Sequence, residues 1–347
     1  MDIETLIRPN IRSLKPYHSA RQDYLTGVLL DANENAFGSA ISVDGLQLNR
    51  YPDPFQNALR SRLAELQQIQ LENLFVGVGS DEIIDLLVRI FCEPQQDSVL
   101  ILEPTYGMYR VAADINNVKV LSCLLTDDFQ IDLGAVRQRT GKNTKVIFCC
   151  SPNNPTGNLL HRKGILDLCS ATSAILVVDE AYIDYAQSES LITAMGEFPN
   201  LVILRTLSKA WGLAAIRLGY AVANPQIVSY LMKVKAPYNI NILTSTEATK
   251  ALQNADHVRK TVSLTIAERE RLVSELGRFA FVQRIFPSDS NFLLIRCTDA
   301  RFIHERLAQL GIIVRDRSSE PKLEGCLRIS VGTAGQNDAL LTALEGF

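Results

Sequence analysis

Histidine is scarce in this 347-residue chain: only His18, His161, His257 and His304 occur. No two of them have H-E-x-x-H or similar spacing, so a zinc or other metal site is not expected. The seven cysteines include no C-x-x-C pair, and several lie in apolar runs. That pattern predicts buried free thiols of a cytoplasmic protein, not disulfides or metal ligands. Positive charge is not in excess: 35 Lys and Arg meet 38 Asp and Glu, for a formal net charge of −3. The balance argues against nucleic acid or an anionic membrane surface as a partner. No apolar run approaches the roughly 20 residues of a membrane span. The opening "MDIETLIRPNIRSLKPYHSAR" lacks the apolar stretch of a secretory leader. Internal repeats and low-complexity tracts are absent too.

What is present is an alternation of short β-rich runs and helical patterns. The strand-like runs are 74–79, 98–104, 118–125, 145–152, 174–182, 201–208 and 218–224. Between several of them lie helix-spaced segments such as "SDEIIDLLVRIFC" (80–92). This predicts an α/β large domain with a mostly parallel central sheet flanked by helices, over residues 35–245. After about residue 245 long helices take over, followed by short strands and two more helices. That predicts a smaller α+β domain from residues 246–347, joined by 1–34 as an N-terminal arm lying against it or against another subunit.

In open sheets of this kind ligands bind beyond the carboxyl ends of the strands. Those ends carry unusual residues here. "GSDE" (79–82) opens a helix, with Ser80 or Asp81 expected to cap it and free N–H groups suited to an anion. "TYGMY" places Tyr106 after the next strand. "NNPTGN" (153–158) is turn chemistry that also supplies Asn154. Asp179 ends a very apolar strand, where a carboxylate needs a partner charge. "RTLSKAWGLAAIRLGY" (205–220) sets Lys209 after Thr206 and Ser208 and before Arg217. Each feature alone has a bland explanation in capping, packing or turns. Together they match the needs of pyridoxal 5′-phosphate: a lysine for its aldehyde, a carboxylate for its pyridine nitrogen, donors for its phenolic oxygen, a stacking ring, and N–H, hydroxyl and arginine donors for its phosphate.

The set "SPNNPTG", "DEAY" and "SK…R" resembles the fold-type-I pyridoxal-phosphate-dependent aminotransferases. "LDANENAFG", "RYPD", "PTYGMY", "VVDEAYIDY", "IIVRD" and "CLRISVGT" look closer still to the histidinol-phosphate aminotransferase family, in the same order over nearly the whole chain. Ala36 departs from the usual proline of "NENP[YF]G", which mainly stiffens a loop. The resemblance implies that Lys209 forms the Schiff base and moves the proton, and that Asp179 pairs with the pyridine nitrogen. Asn154 and Tyr182 then serve the phenolic oxygen, and Tyr106 stacks on the ring. The Ser80 and Asp81 amides, Thr206, Ser208 and Arg217 hold the cofactor phosphate, and Tyr51 reaches it from the partner subunit of a homodimer. Tyr17, Asn33, Arg315 and Arg328 line the substrate pocket, with Arg328 on the substrate carboxylate and Arg315 joining it on a substrate phosphate. The implied reaction exchanges an amino group between glutamate/2-oxoglutarate and imidazole-acetol phosphate/L-histidinol phosphate, in histidine biosynthesis. The rivals on the same fold are an aromatic-amino-acid aminotransferase and a phosphothreonine decarboxylase. A ligand-sensing regulator would need a DNA-binding segment, for which the pattern leaves no room.

Overall fold

The computed structural model describes residues 2–347. Seven strands form the large sheet: β1 (Leu74–Val78), β2 (Ser98–Glu103), β3 (Lys119–Leu124), β4 (Thr144–Cys150), β5 (Ile175–Asp179), β6 (Leu201–Thr206) and β7 (Leu218–Ala223). Their spatial order is β1-β7-β6-β5-β4-β2-β3. Pairing is parallel from β3 through β6, while β7 runs antiparallel to both β6 and β1. Six carboxyl ends therefore share one edge with the amino end of β7. Arg217, just before β7, thus lies beside residues that follow the other strands.

Helices cover both faces of this sheet, so its central strands are apolar throughout. β5, β6 and β7 are buried at every position. Side chains still alternate between faces. Leu176 and Val178 join one core, whereas Ile175 and Val177 join the other, with Phe148 and Tyr109. The same period of two sends Asp179 to the side of Ile175 and Val177, where Tyr109 packs.

A second, antiparallel sheet has the order β10-β11-β9-β8. Its strands are β8 (Val282–Ile285), β9 (Phe292–Cys297), β10 (Arg315–Asp316) and β11 (Cys326–Ser330). Helices Ala255–Leu276, Ala300–Gln309 and Ala334–Leu344 pack on it around Leu272, Leu293, Leu307, Leu327 and Leu340. All seven cysteines are free and buried. No helix of the described residues is long and apolar enough to cross a membrane.

The start of the chain departs from the expectation that it lies against the smaller domain or another subunit. Ile3 and Ile7 are buried with residues of helices Gly79–Phe91 and Pro225–Val234 of the large domain. The Arg8 N–H donates to the Ile90 carbonyl at 3.0 Å, and the Tyr230 hydroxyl donates to Glu4 at 2.7 Å. An apolar residue every four positions found a ready groove between two helices, which local sequence could not reveal.

Candidate active site

A cavity of about 490 Å³ opens where the carboxyl edge of the large sheet faces β10 and β11. Its lining includes Ser80, Asp81, Tyr106, Asn154, Asp179, Tyr182, Thr206, Ser208, Lys209, Arg217, Arg315 and Arg328. Twelve of the fifteen residues singled out from the sequence are therefore brought together. Five cationic side chains (Lys209, Arg217, Arg315, Arg317, Arg328) stand against two carboxylates (Asp81, Asp179) in that lining. Such an excess suits an anionic ligand.

Three residues lie elsewhere. Tyr17 is highly exposed and edges a separate small pocket with Pro54 and Lys235. Asn33 is exposed, in a left-handed conformation at φ 54°. Tyr51 is half exposed and stacks on Tyr238 at 4.6 Å. The segment that carries Asn33 and Tyr51 is tied by ion pairs instead. Buried Arg21 bonds Asp31 at 2.7 Å and Glu34 at 2.5 Å, and Glu34 also takes Arg50 at 2.7 Å and the Tyr51 N–H at 2.7 Å. Burial works to raise the Glu34 carboxyl, but these donors outweigh it and hold it at about 2.

The helix start at Gly79 is built by a close approach of chains. Gly79 adopts φ 69° and donates its N–H to the Arg217 carbonyl at 3.0 Å. A Cβ on Gly219 would lie 2.3 Å from the Ser80 nitrogen, so only glycine lets β7 pass this turn. The expected cap by Ser80 or Asp81 is not formed, because both lie inside the helix. Glu82 reaches back to the Val78 N–H at 2.6 Å instead. First-turn N–H groups have no partner within the helix. Those of Ser80 and Asp81 find no protein acceptor among the described residues, which leaves them for an anion. The Asp81 side chain takes the Tyr106 hydroxyl at 3.1 Å and Arg217 at 3.3 Å. Thr206 and Ser208 are locked beside them, with the Ser208 N–H donating to Thr206 Oγ1 at 3.0 Å.

Deeper in, Asp179 is buried and faces no cation at bonding distance among the described residues. Its oxygens accept the Tyr109 hydroxyl at 2.9 Å and the Ala181 N–H at 3.1 Å. Burial raises its carboxyl to about 6, against these hydrogen bonds and the Lys209 charge. The Lys209 amine sits 5.5 Å from the Tyr182 ring centre. Loss of hydration lowers its pKa, as does Arg328, while Asp179 and Asp81 oppose the shift. Burial likewise raises the Tyr182 phenol, so it remains a proton donor. Arg328 donates to Asn154 Oδ1 at 2.5 Å, which joins the two sheets across the cavity. These groups can hold a flat aromatic ring carrying a phosphate, a ring nitrogen and a carbonyl.

Residues 21–344 match the family model for aminotransferase class I and II. The chain belongs to that family. Among these aminotransferases, the histidinol-phosphate aminotransferase of Cytophaga hutchinsonii is 46% identical over 99% of both chains. That of Parabacteroides distasonis is 45% identical, covering 99% of this chain and 98% of its own. The solved histidinol-phosphate aminotransferase of Sinorhizobium meliloti, in complex with pyridoxal-5′-phosphate, superposes with TM-score 0.78 at 26% identity, over 91% of this chain and 89% of that one. L-threonine-O-3-phosphate decarboxylase of Porphyromonas gingivalis shares the fold, with TM-score 0.74 at 24% identity over 86% of this chain and 91% of that one.

Arg317 in the cavity wall and Tyr109 behind Asp179 were not singled out from the sequence. Arg317 lines the cavity and donates to Glu320 at 2.7 Å. Its spacing, two after Arg315, was a usable signal, since alternate residues of an extended segment share a face. Tyr109 gave no such signal, because its helical spacing reads as core.

Proposed function

We propose that this aminotransferase binds pyridoxal 5′-phosphate and transfers an amino group between the pairs glutamate/2-oxoglutarate and L-histidinol phosphate/imidazole-acetol phosphate. The observation that carries the reading is Asp179: a buried carboxylate, without a cationic partner, at the floor of a cavity that also presents a lysine amine and free helix N–H groups. A protonated pyridine nitrogen is the partner this carboxylate lacks, so the residues present fit the cofactor. The Ser80 and Asp81 amides, Thr206, Ser208 and Arg217 would hold the phosphate. Tyr106 would lie against the ring, and Asn154 and Tyr182 would serve the phenolic oxygen. When bound, the cofactor supplies an electron sink for the electrons released at the substrate Cα.

The protein's own groups do the rest. A lysine base must be neutral, and the lowered pKa of Lys209 favours that state. Within each half-reaction its amine would carry the proton between the substrate Cα and the cofactor, in opposite directions in the two halves. Arg328 receives the carboxylate of glutamate, and Arg315 with Arg328 receives the phosphate of histidinol phosphate. Planar guanidinium forks suit both anions, so one pocket serves both half-reactions. Amino groups balance: histidinol phosphate and 2-oxoglutarate yield imidazole-acetol phosphate and glutamate.

Large apolar side chains stand exposed between residues 14 and 51, Val28, Leu30, Phe37 and Ile41 among them. This supports a homodimer in which Tyr51 serves the partner's site. We assign the enzyme to the cytoplasm, in keeping with its unpaired cysteines.

The test is a half-reaction scan. The holoenzyme is mixed separately with histidinol phosphate, glutamate, phenylalanine and O-phosphothreonine, and the visible band of the bound cofactor is followed. Bleaching by histidinol phosphate and glutamate, without carbon dioxide release from phosphothreonine, is expected. Absence of any visible band would remove the cofactor. Bleaching by phenylalanine but not histidinol phosphate would remove the substrate.

A further inference from the structure

We propose that Tyr109 is a positioning residue for Asp179, its hydroxyl supplying the hydrogen bond that aims the carboxylate at the cavity and keeps it ionised. The proposal rests on the role given to Asp179 above. Tyr109 is fully buried and does not line the cavity. Its ring stacks on Phe148 at 4.7 Å with planes 3° apart, and Tyr106 meets it edge-on at 5.6 Å. Packed on these rings, the phenol has one direction for its oxygen. That oxygen stands 2.9 Å from Asp179 Oδ2.

The carboxylate has little other support. The Ala181 N–H serves Oδ1. The other charged or titratable groups that act on Asp179 are Lys209, which favours the ionised form, and Asp81, which opposes it. Asp179 in turn bears on Cys150, Tyr182 and Tyr106. Removing a hydrogen bond from a buried charged group leaves that group's lost hydration uncompensated. A neutral donor also has an advantage over a cation. It steadies the carboxylate yet leaves its full negative charge for the ring nitrogen. Burial and the Asp179 charge keep the Tyr109 hydroxyl protonated far above working pH, so the donor does not switch off.

The experiment measures cofactor binding to the cofactor-free full chain between pH 5 and 8.5, for wild type, Tyr109→Phe, Asp179→Asn and the double variant. Thermal melts check folding. Tyr109→Phe should raise the acid limb of the binding profile by about one pH unit, which weakens cofactor binding about tenfold at pH 5 and only about twofold at pH 7. In the holoenzyme kcat should fall by a similar factor at each pH while KM for glutamate holds. Adding Tyr109→Phe to Asp179→Asn should cost nothing further, because the hydroxyl acts through the carboxylate. Replacing Tyr109 with 3-fluorotyrosine keeps the shape and strengthens the donor, so it should move the acid limb down. Unchanged limbs in both variants, or a Tyr109→Phe loss that persists in full without Asp179, would overturn the proposal. If Asp179→Asn alone leaves binding and turnover intact, the Asp179 role fails, and this proposal with it.

Discussion

Arg315 and Arg328 stand directly opposite each other across the β10–β11 pair. Like charges at opposed positions destabilise a sheet. Both open onto the cavity, and neither meets a carboxylate at ion-pair distance among the described residues. An anion bound between them would relieve the repulsion. Inorganic phosphate should therefore raise the melting temperature of the wild type more than that of Arg315→Gln. In turnover, Arg315→Gln should raise KM for histidinol phosphate by about tenfold or more, the scale of one charge-assisted hydrogen bond. The effect on glutamate should be smaller. Equal losses for the two substrates would sink this division of labour.

Asp179 should trade stability for function. Its folded pKa of about 6 lies above the ordinary 3.8 because burial disfavours the charge. Between those values the folded chain holds its proton more tightly than the unfolded one. The resulting stabilisation is fully present below about pH 4 and is lost as pH rises through 6. Asp179→Asn removes that loss. The cofactor-free variant should be more stable than wild type at pH 8 by up to about 3 kcal/mol, with the gap closing toward pH 4. The same change should lower turnover about a hundredfold or more. Melts of both proteins across this pH range, beside steady-state rates, check the pair of effects.

Gly219 should tolerate no side chain. A Cβ there meets the Ser80 nitrogen at 2.3 Å and the Gly79 carbonyl carbon at 2.6 Å, both backbone atoms. Relief requires moving the helix start that presents the free N–H groups. Gly219→Ala should cost about 1–3 kcal/mol in denaturant unfolding and weaken binding of the cofactor phosphate. Gly196→Ala has open space around its Cβ and should leave cofactor binding unchanged. Matched cofactor titrations of the two variants would separate strain at the site from strain in general.

Much of this arrangement was legible in the chain itself. Alternating apolar runs and helical periods announced the large sheet, because burial on two faces demands continuous hydrophobic strands. Polar residues at strand ends announced the cavity, because a charge such as Asp179 is too costly there without purpose. These signals are local and repeat at the spacing of the secondary structure. The site edge built by Arg317 needed one more step of the same logic, and its short strand β10 spans only Arg315–Asp316.

Other features came only from tertiary packing. Ile3 and Ile7 settled between two helices of the large domain, and Tyr17 and Asn33 fell outside this chain's cavity. Glu82, not Ser80 or Asp81, took the end of its helix. Tyr109 met Asp179 across 70 residues of sequence. The sequence by itself determined the sheet, the family and most of the cavity lining, since period and strand-end chemistry are short-range. The tertiary structure alone decided which buried donor meets which charge, since that depends on how separate elements pack in space.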